Sequence, residues 1–214
     1  MIGAVIFDCD GVVVDSEPAS FDLLAQDLAA HGLTLPRAQL ETVFLGGTIA
    51  GVFDTARGMG ATLPDDWVDR FYDRLYVRLA QGTPLIPGIL PVLNRLRAAG
   101  LPFGMGSNGS PAKMAITLGQ HPAVLALFAG RMFSAQTLGR PKPAPDLYLH
   151  VAAVLGVAPA RCVVIEDSPT GAKAAAAAGM RCFGYAPHGG GDALKAAGAV
   201  LFADMADLPV LLGV

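Results

Sequence analysis

Two aspartates, Asp8 and Asp10, follow a short apolar run and precede a glycine in the segment FDCDGVVVDSE. If GAVIF at residues 3–7 is a strand, both carboxylates leave its carboxyl end, because residues two apart share a face of an extended chain. A second acidic pair, Glu166 and Asp167, ends the apolar run CVVI at 162–165. Ligands of open α/β sheets bind outside the carboxyl ends of strands, so four carboxylates are expected to converge on one crevice. Like charges roughly 4 Å apart repel by about 4 kcal/mol at an effective dielectric near 20, and such a cluster needs a cation or a raised pKa. Mg2+, a hard ion that takes carboxylate, carbonyl, water and phosphate oxygens, meets that need. A structural calcium site is the competing reading, but the EF-hand loop pattern is absent. A single acid after a strand more often just terminates it; a pair followed by glycine points to chemistry.

Two further segments fit phosphoryl transfer. The run at 101–106 leads into GSNGSP, a loop of small residues in which the Ser107 hydroxyl, Asn108 and nearby backbone N–H groups can hold phosphate oxygens. By itself such a loop reads as an ordinary turn. Lys142 lies in GRPKPAPDLY, where Pro141 and Pro143 stiffen the chain on either side and fix its direction.

The elements that must position these residues are legible in outline. Apolar runs at 3–7, 101–106, 162–165, 181–185 and 199–202 read as buried parallel strands. Helical stretches lie between them: Leu90, Leu93 and Leu96 step toward Gly100, and an alanine run from Ala174 stops at Gly179. This alternation predicts an α/β fold, a Rossmann-like parallel sheet flanked by helices. Residues 15–83 break it. Phe21, Leu24 and Leu28 share one helical face, as do Trp67, Phe71, Leu75 and Leu79, and TPLIPGI supplies a stiff return. A small helical cap domain over 15–83 is therefore expected within a catalytic core of 1–14 and 84–214.

Composition bounds the partners. Of 214 residues 53% are hydrophobic, but the apolar runs are a handful of residues long, far short of the ~20 needed to span a bilayer. The amino terminus meets Asp8 before a signal-peptide core could form, so a cytoplasmic protein is expected. Cys9, Cys162 and Cys182 read as buried free thiols. With a net charge of -3 and scattered lysines and arginines there is no footprint for nucleic acid or membrane, and the ligand is expected to be small. The four histidines have no ligand spacing, and no heptad run appears, so a monomer is the default expectation.

The motifs DxDGV, SN, KPxPD and EDS, in this order, resemble those of the haloacid dehalogenase superfamily, closest to its branch of sugar-phosphate phosphatases and β-phosphoglucomutases. The resemblance covers essentially the whole chain. It implies that Asp8 attacks phosphorus to form an aspartyl phosphate, and that Asp10 protonates the leaving oxygen and then deprotonates water. Asp8, the backbone carbonyl of Asp10 and Asp167 are implied to hold Mg2+, with Glu166 a ligand or an outer partner. Ser107, Asn108 and Lys142 are implied to bind the phosphoryl group, and Gly46 in FLGGT to belong to the specificity loop of the cap. The substrate is then a small phosphorylated metabolite, a sugar phosphate or similar monoester. Where a mutase of this branch carries a histidine, a lysine and an arginine in the cap, this chain has Ser20, Leu45 and Ile49. Hydrolysis is therefore expected, with a phosphomutase as the alternative.

Overall fold

The computed structural model describes residues 2–214. After strand β1 (Ala4–Phe7) come four consecutive helices, α1 (Glu17–Ala30), α2 (Arg37–Phe44), α3 (Ile49–Gly58) and α4 (Trp67–Ala80). Alternation then begins with α5 (Ile89–Ala98), β2 (Phe103–Ser107), α6 (Pro111–Gly119), α7 (Pro122–Leu127), β3 (Met132–Ser134), α8 (Ala135–Leu138) and α9 (Asp146–Leu155). It ends with β4 (Cys162–Glu166), α10 (Pro169–Ala177), β5 (Arg181–Tyr185), α11 (Asp192–Ala196), β6 (Val200–Phe202) and α12 (Leu208–Leu212).

All six strands are parallel and pair in the order β3-β2-β1-β4-β5-β6. The chain winds outward through β2 and β3 on one side of β1, then through β4, β5 and β6 on the other. The winding reverses between β1 and β4, and a crevice opens there at the strands' carboxyl ends. The Rossmann-like sheet is the one expected, with one strand more than the apolar runs announced. Strand β3 is three residues at the sheet edge, with Met132 and Phe133 only half-buried, so no continuous apolar run marks it. Strand β2 starts two residues later than expected and reaches Ser107.

Alternate residues of β1 feed two cores, as the pleat requires. Val5 and Phe7 pack with Leu93, Met105, Phe128 and Leu208 on one face; Ala4 and Ile6 pack with Tyr148, Val151, Ala172 and Ala175 on the other. The four helices after β1 enclose a third core, in which Trp67, Phe71, Leu75 and Leu79 form the buried stripe of α4 against Phe21, Leu24 and Leu28 of α1. Trp67 stacks between Phe53 and Phe71, with ring centroids at 6.2 and 4.9 Å. Its indole N–H donates to the buried carboxylate of Asp27, which Arg74 also approaches at 2.5 Å. The strands leading out of and back into the sheet run side by side: Asp15 N–H donates to the Pro84 carbonyl at 2.8 Å and Ile86 N–H to that of Val13 at 3.0 Å.

Two helices begin in a serine-proline step at the functional end of the sheet. Ser110 accepts from the N–H of Lys113 at 3.0 Å and Ser168 from that of Gly171 at 3.0 Å, with Pro111 and Pro169 opening the first turns. The cap hydrogen bond and a proline at the first helical position start α6 and α10 immediately after β2 and β4. Side chains of those first turns are thereby fixed over the crevice.

Candidate active site

Asp8 leaves the end of β1 with its N–H bonded to the Ile165 carbonyl at 2.9 Å, which ties the first acidic segment to β4. Its Oδ1 accepts from Lys142 Nζ at 2.6 Å, and the same ammonium donates to Glu166 Oε1 at 2.8 Å. The lysine is held at both ends. Asn108 Oδ1 accepts from its backbone N–H at 2.9 Å, and its Nζ lies 4.7 Å from the centre of the Tyr148 ring. The flanking prolines of the sequence are present, and the Lys142–Pro143 bond is cis.

Glu166 is fully buried and already supplied with donors. Oε1 accepts from Lys142 and from Tyr148 Oη at 2.8 Å; Oε2 accepts from Asp167 N, Ser168 N and Ser168 Oγ at 3.0, 2.8 and 2.8 Å. The charge and hydrogen bonds of Lys142, with those of Ser168 and Tyr148, outweigh burial and hold the carboxyl below its ordinary range. A Cβ at Gly171 would lie 1.6 Å from Oε1, so only glycine on the first turn of α10 leaves room for this carboxylate.

Asp8, Glu166 and Asp167 each bring a carboxylate oxygen within 4.8 Å of the others. The turn of DxDG is shaped around Asp167: Gly11 has φ of +74° and a Cβ there would meet Asp167 Oδ2 at 2.0 Å. Burial pushes Asp8 up to about 7, against the pull of Lys142 and with the added repulsion of Glu166 and Asp10. Burial, with repulsion from Glu17, Glu166 and Asp8, pushes Asp167 well above the carboxylate range. The pull of Lys142 on Asp8 is therefore real but outweighed.

Asp10 takes different partners from Asp8. Its Oδ1 accepts from Ser16 Oγ and pairs with Lys113 Nζ at 2.8 Å, while Ser107 Oγ lies 3.5 Å from Oδ2. Burial would raise this carboxyl, but Lys113 and Ser16 win and lower it. Ser107, at the end of β2, is buried and accepts from Gly109 N–H at 2.9 Å. Gly46, in the loop after α2, accepts through its carbonyl from Asn108 Nδ2 at 3.0 Å, joining the helical layer to the sheet layer above the crevice.

A cavity of about 110 Å³ is lined by all eight sequence-predicted residues, Asp8, Asp10, Gly46, Ser107, Asn108, Lys142, Glu166 and Asp167. It also draws in Ser16, Glu17, Lys113 and Ser168, which sequence reasoning passed over. The signal for Lys113 lies in GSPAK: a serine-proline helix start places the third residue on the first turn, above the strand end. Glu17 opens the first turn of α1 after the DxDG turn, where burial and the charge of Asp10 push it up to about 7. Tyr148 sits in an apolar helix and carried no such signal.

Five carboxylates thus face two ammonium groups around one cavity, and each ammonium is already paired. The raised Asp8 and Asp167 mark where positive charge is missing. Their oxygens fit a hard divalent cation.

Other candidates lie elsewhere. His31 bonds the Asp27 carbonyl through Nδ1 at 2.8 Å, His121 pairs with the Thr83 carbonyl at 2.6 Å, His150 packs on Phe133 and His188 is exposed. Arg57, Arg70 and Arg74 pair with Asp65, Asp66 and Asp27. The three cysteines are free and buried. Among the described residues no helix is long and apolar enough to cross a membrane.

The comparisons with known proteins agree with this geometry. The family model for haloacid dehalogenase-like hydrolases matches residues 2–179. Hexitol phosphatase A of Escherichia coli is 33% identical over 177 residues, covering 81% of this chain and 78% of that protein. The crystal structure of a conserved haloacid dehalogenase-like protein from Agrobacterium tumefaciens superposes with a TM-score of 0.87 at 32% identity, over 100% of this chain and 98% of the other. A hydrolase of the same family from Deinococcus radiodurans, solved with bound phosphate and sodium, gives 0.80 at 34% identity over 99% and 95%. With more than four fifths of its length inside the family model, and relatives above 30% identity along most of the chain, this protein belongs to the haloacid dehalogenase-like hydrolases.

Proposed function

We propose that this hydrolase is a magnesium-dependent phosphatase that cleaves a small phosphorylated metabolite, a sugar phosphate or similar monoester, through an aspartyl-phosphate intermediate. The observation that carries the reading is the pairing of Asp8 Oδ1 with Lys142 Nζ at 2.6 Å inside a cavity also lined by Asp10, Ser107 and Asp167. A carboxylate with one oxygen fixed by a buried ammonium has the other free to attack, and carboxylate attack divides one hard displacement into two easier ones.

In this mechanism an Asp8 oxygen bonds to phosphorus while the bond to the leaving oxygen breaks, and Asp10 delivers a proton to that oxygen. Water then attacks the aspartyl phosphate, Asp10 takes its proton, and Asp8 is regenerated as phosphate departs. Lys113 and Ser16 hold Asp10 ionised, which suits the second half of the cycle. For the first half the carboxyl has to acquire a proton and part from Lys113. Ser107 Oγ, the amides of the loop after β2 and Lys142 supply donors for the phosphoryl oxygens.

Asp8, the backbone carbonyl of Asp10 and Asp167 are the residues we assign to Mg2+. With five donors already on it, Glu166 instead anchors Lys142. When bound, the ion would offset the charge of the carboxylates and of the phosphoryl oxygens. We assign residues 15–83 to a cap domain that closes over residues 1–14 and 84–214, in a monomeric, cytoplasmic enzyme. Hydrolysis is favoured over phosphomutase activity because, among the described residues, no lysine, arginine or histidine other than Lys113 and Lys142 lines the cavity, and both of these sit beside Asp10 and Asp8 where the transferring phosphoryl group is held.

Phosphate release with Mg2+ present, measured across a panel of monoesters for the wild type and Asp8→Asn, tests this reading. Turnover that falls at least about 10³-fold in the variant is expected. Equal rates in the two proteins would refute the assigned nucleophile.

A further inference from the structure

The cavity is polar at its floor and apolar at its roof. The floor comes from the strand ends and holds every charged group but Glu17. The roof comes from α1 to α4, where Phe21, Leu24, Phe44, Val52, Phe71 and Leu75 face the cavity and are all buried. These six residues supply what the leaving group of a monoester would touch once its phosphoryl group is seated on the floor.

Three hydroxyls interrupt the roof, and each makes one hydrogen bond within the protein. Ser20 Oγ donates to the Ser16 carbonyl at 2.8 Å, Thr48 Oγ1 accepts from Gly51 N–H at 3.1 Å, and Tyr72 Oη accepts from Gln136 Nε2 at 2.7 Å. No lysine, arginine or histidine of the four roof helices lines the cavity; the one carboxylate they contribute is that of Glu17. Among the described residues, then, nothing in the roof can neutralise a second anion, and its side chains offer a polyol only these three hydroxyls and the Glu17 carboxylate.

From this construction we infer that the leaving group is a small uncharged alcohol with more carbon than hydroxyl surface, of the deoxygenated-sugar, short-alkyl or aryl kind, and that esters bearing a carboxylate or second phosphate are rejected. The inference rests on the phosphatase reading above and narrows its substrate class. Rejection has a plain cause. A buried carboxylate without a counter-charge, or a hydroxyl without a partner, loses its water and gains nothing in exchange.

A matched four-carbon series isolates the effect: n-butyl phosphate, erythritol 4-phosphate and 4-phosphonooxybutanoate, assayed for kcat/KM with Mg2+. The butyl ester is expected to exceed the polyol ester by roughly 10-fold or more and the carboxylate ester by roughly 100-fold or more. Ile49→Arg, which sets a cation at the cavity wall, is expected to shift the carboxylate-to-butyl ratio upward at least about 10-fold, mainly through KM. A polyol or carboxylate ester that equals or outperforms the butyl ester overturns the inference. p-Nitrophenyl phosphate separates the two levels of failure. If wild type cleaves it and Asp8→Asn does not, the chemistry stands and the four-carbon ranking judges the leaving-group assignment alone. If neither it nor any four-carbon ester is cleaved, the phosphatase reading falls and takes this assignment with it.

Discussion

Replacing Lys142 with methionine removes the one cation that touches both Asp8 and Glu166. Its Nζ is buried, as are both carboxylates, and Glu166 has no access to water. Breaking a buried ion pair from one side costs about 3–5 kcal/mol, because the remaining charge keeps its desolvation penalty. Asp8 can relieve part of this by holding a proton, since burial already lifts it to about 7; Glu166 keeps four donors, from Tyr148, Asp167 and Ser168, and cannot do so as easily. For a chain of this length, 1 kcal/mol moves the melting temperature by about 2–4 °C, so a drop of about 6–20 °C is expected for Lys142→Met. Adding Glu166→Gln removes the stranded charge. The amide oxygen can still accept from Ser168 and Asp167 N–H and the amide nitrogen can donate to Tyr148 Oη. The double variant is expected to regain about 2 kcal/mol over the single one, measured by urea or thermal melts, while both lack phosphatase activity. A single variant that melts within about 2 °C of wild type, or a double variant no more stable than the single one, would refute the stranded-charge reasoning.

Gly171→Ala drives a methyl group into Glu166 Oε1, and a loss of about 3 kcal/mol with a matching fall in activity is expected, whereas Gly119→Ala, with open space around it, should be neutral or stabilising by up to about 1 kcal/mol in the same melts. The metal-free protein should lose stability as pH rises from about 4 to about 7. Over that range the unfolded chain has released the Asp8 proton that the folded chain still holds, at a cost on the order of 4 kcal/mol at most. Mg2+ at about 100 times its dissociation constant adds about 2.7 kcal/mol, and its melting-temperature gain should be larger at pH 8 than at pH 5, where protons compete for the same oxygens. A gain at pH 5 that equals or exceeds the one at pH 8 would sink the assignment of the ion to Asp8 and Asp167.

Residues whose role follows from their place at the end of a buried strand were legible in the sequence. Asp8, Ser107, Glu166 and Asp167 each close an apolar run, and parallel strands put all such ends on one edge of the sheet. Lys142 was found by its prolines, although Asn108, which bonds its backbone, does as much to place it. What escaped depends on side-chain direction and not on residue type. Lys113 and Glu17 belong to helix starts whose first turns overhang the crevice, and Tyr148 reads as one more apolar position of α9 until its hydroxyl is seen on Glu166. Strand β3 escaped because an edge strand of three residues, two of them half-buried, has no pattern of its own. Whether Glu166 can serve as a metal ligand was likewise beyond residue type, since it turns on how many donors already occupy its oxygens.

The chain has a single tryptophan, and it lies in the helical layer, wedged between Phe53 and Phe71 and bonded to Asp27. Indole emission therefore reports on α1 to α4 alone, whereas far-ultraviolet circular dichroism sees every helix and strand. Denaturation followed by both signals shows directly whether helical layer and sheet come apart as one cooperative unit or in sequence. The chain thus carries its own local fluorophore in the helical layer, and no label has to be engineered to watch that layer.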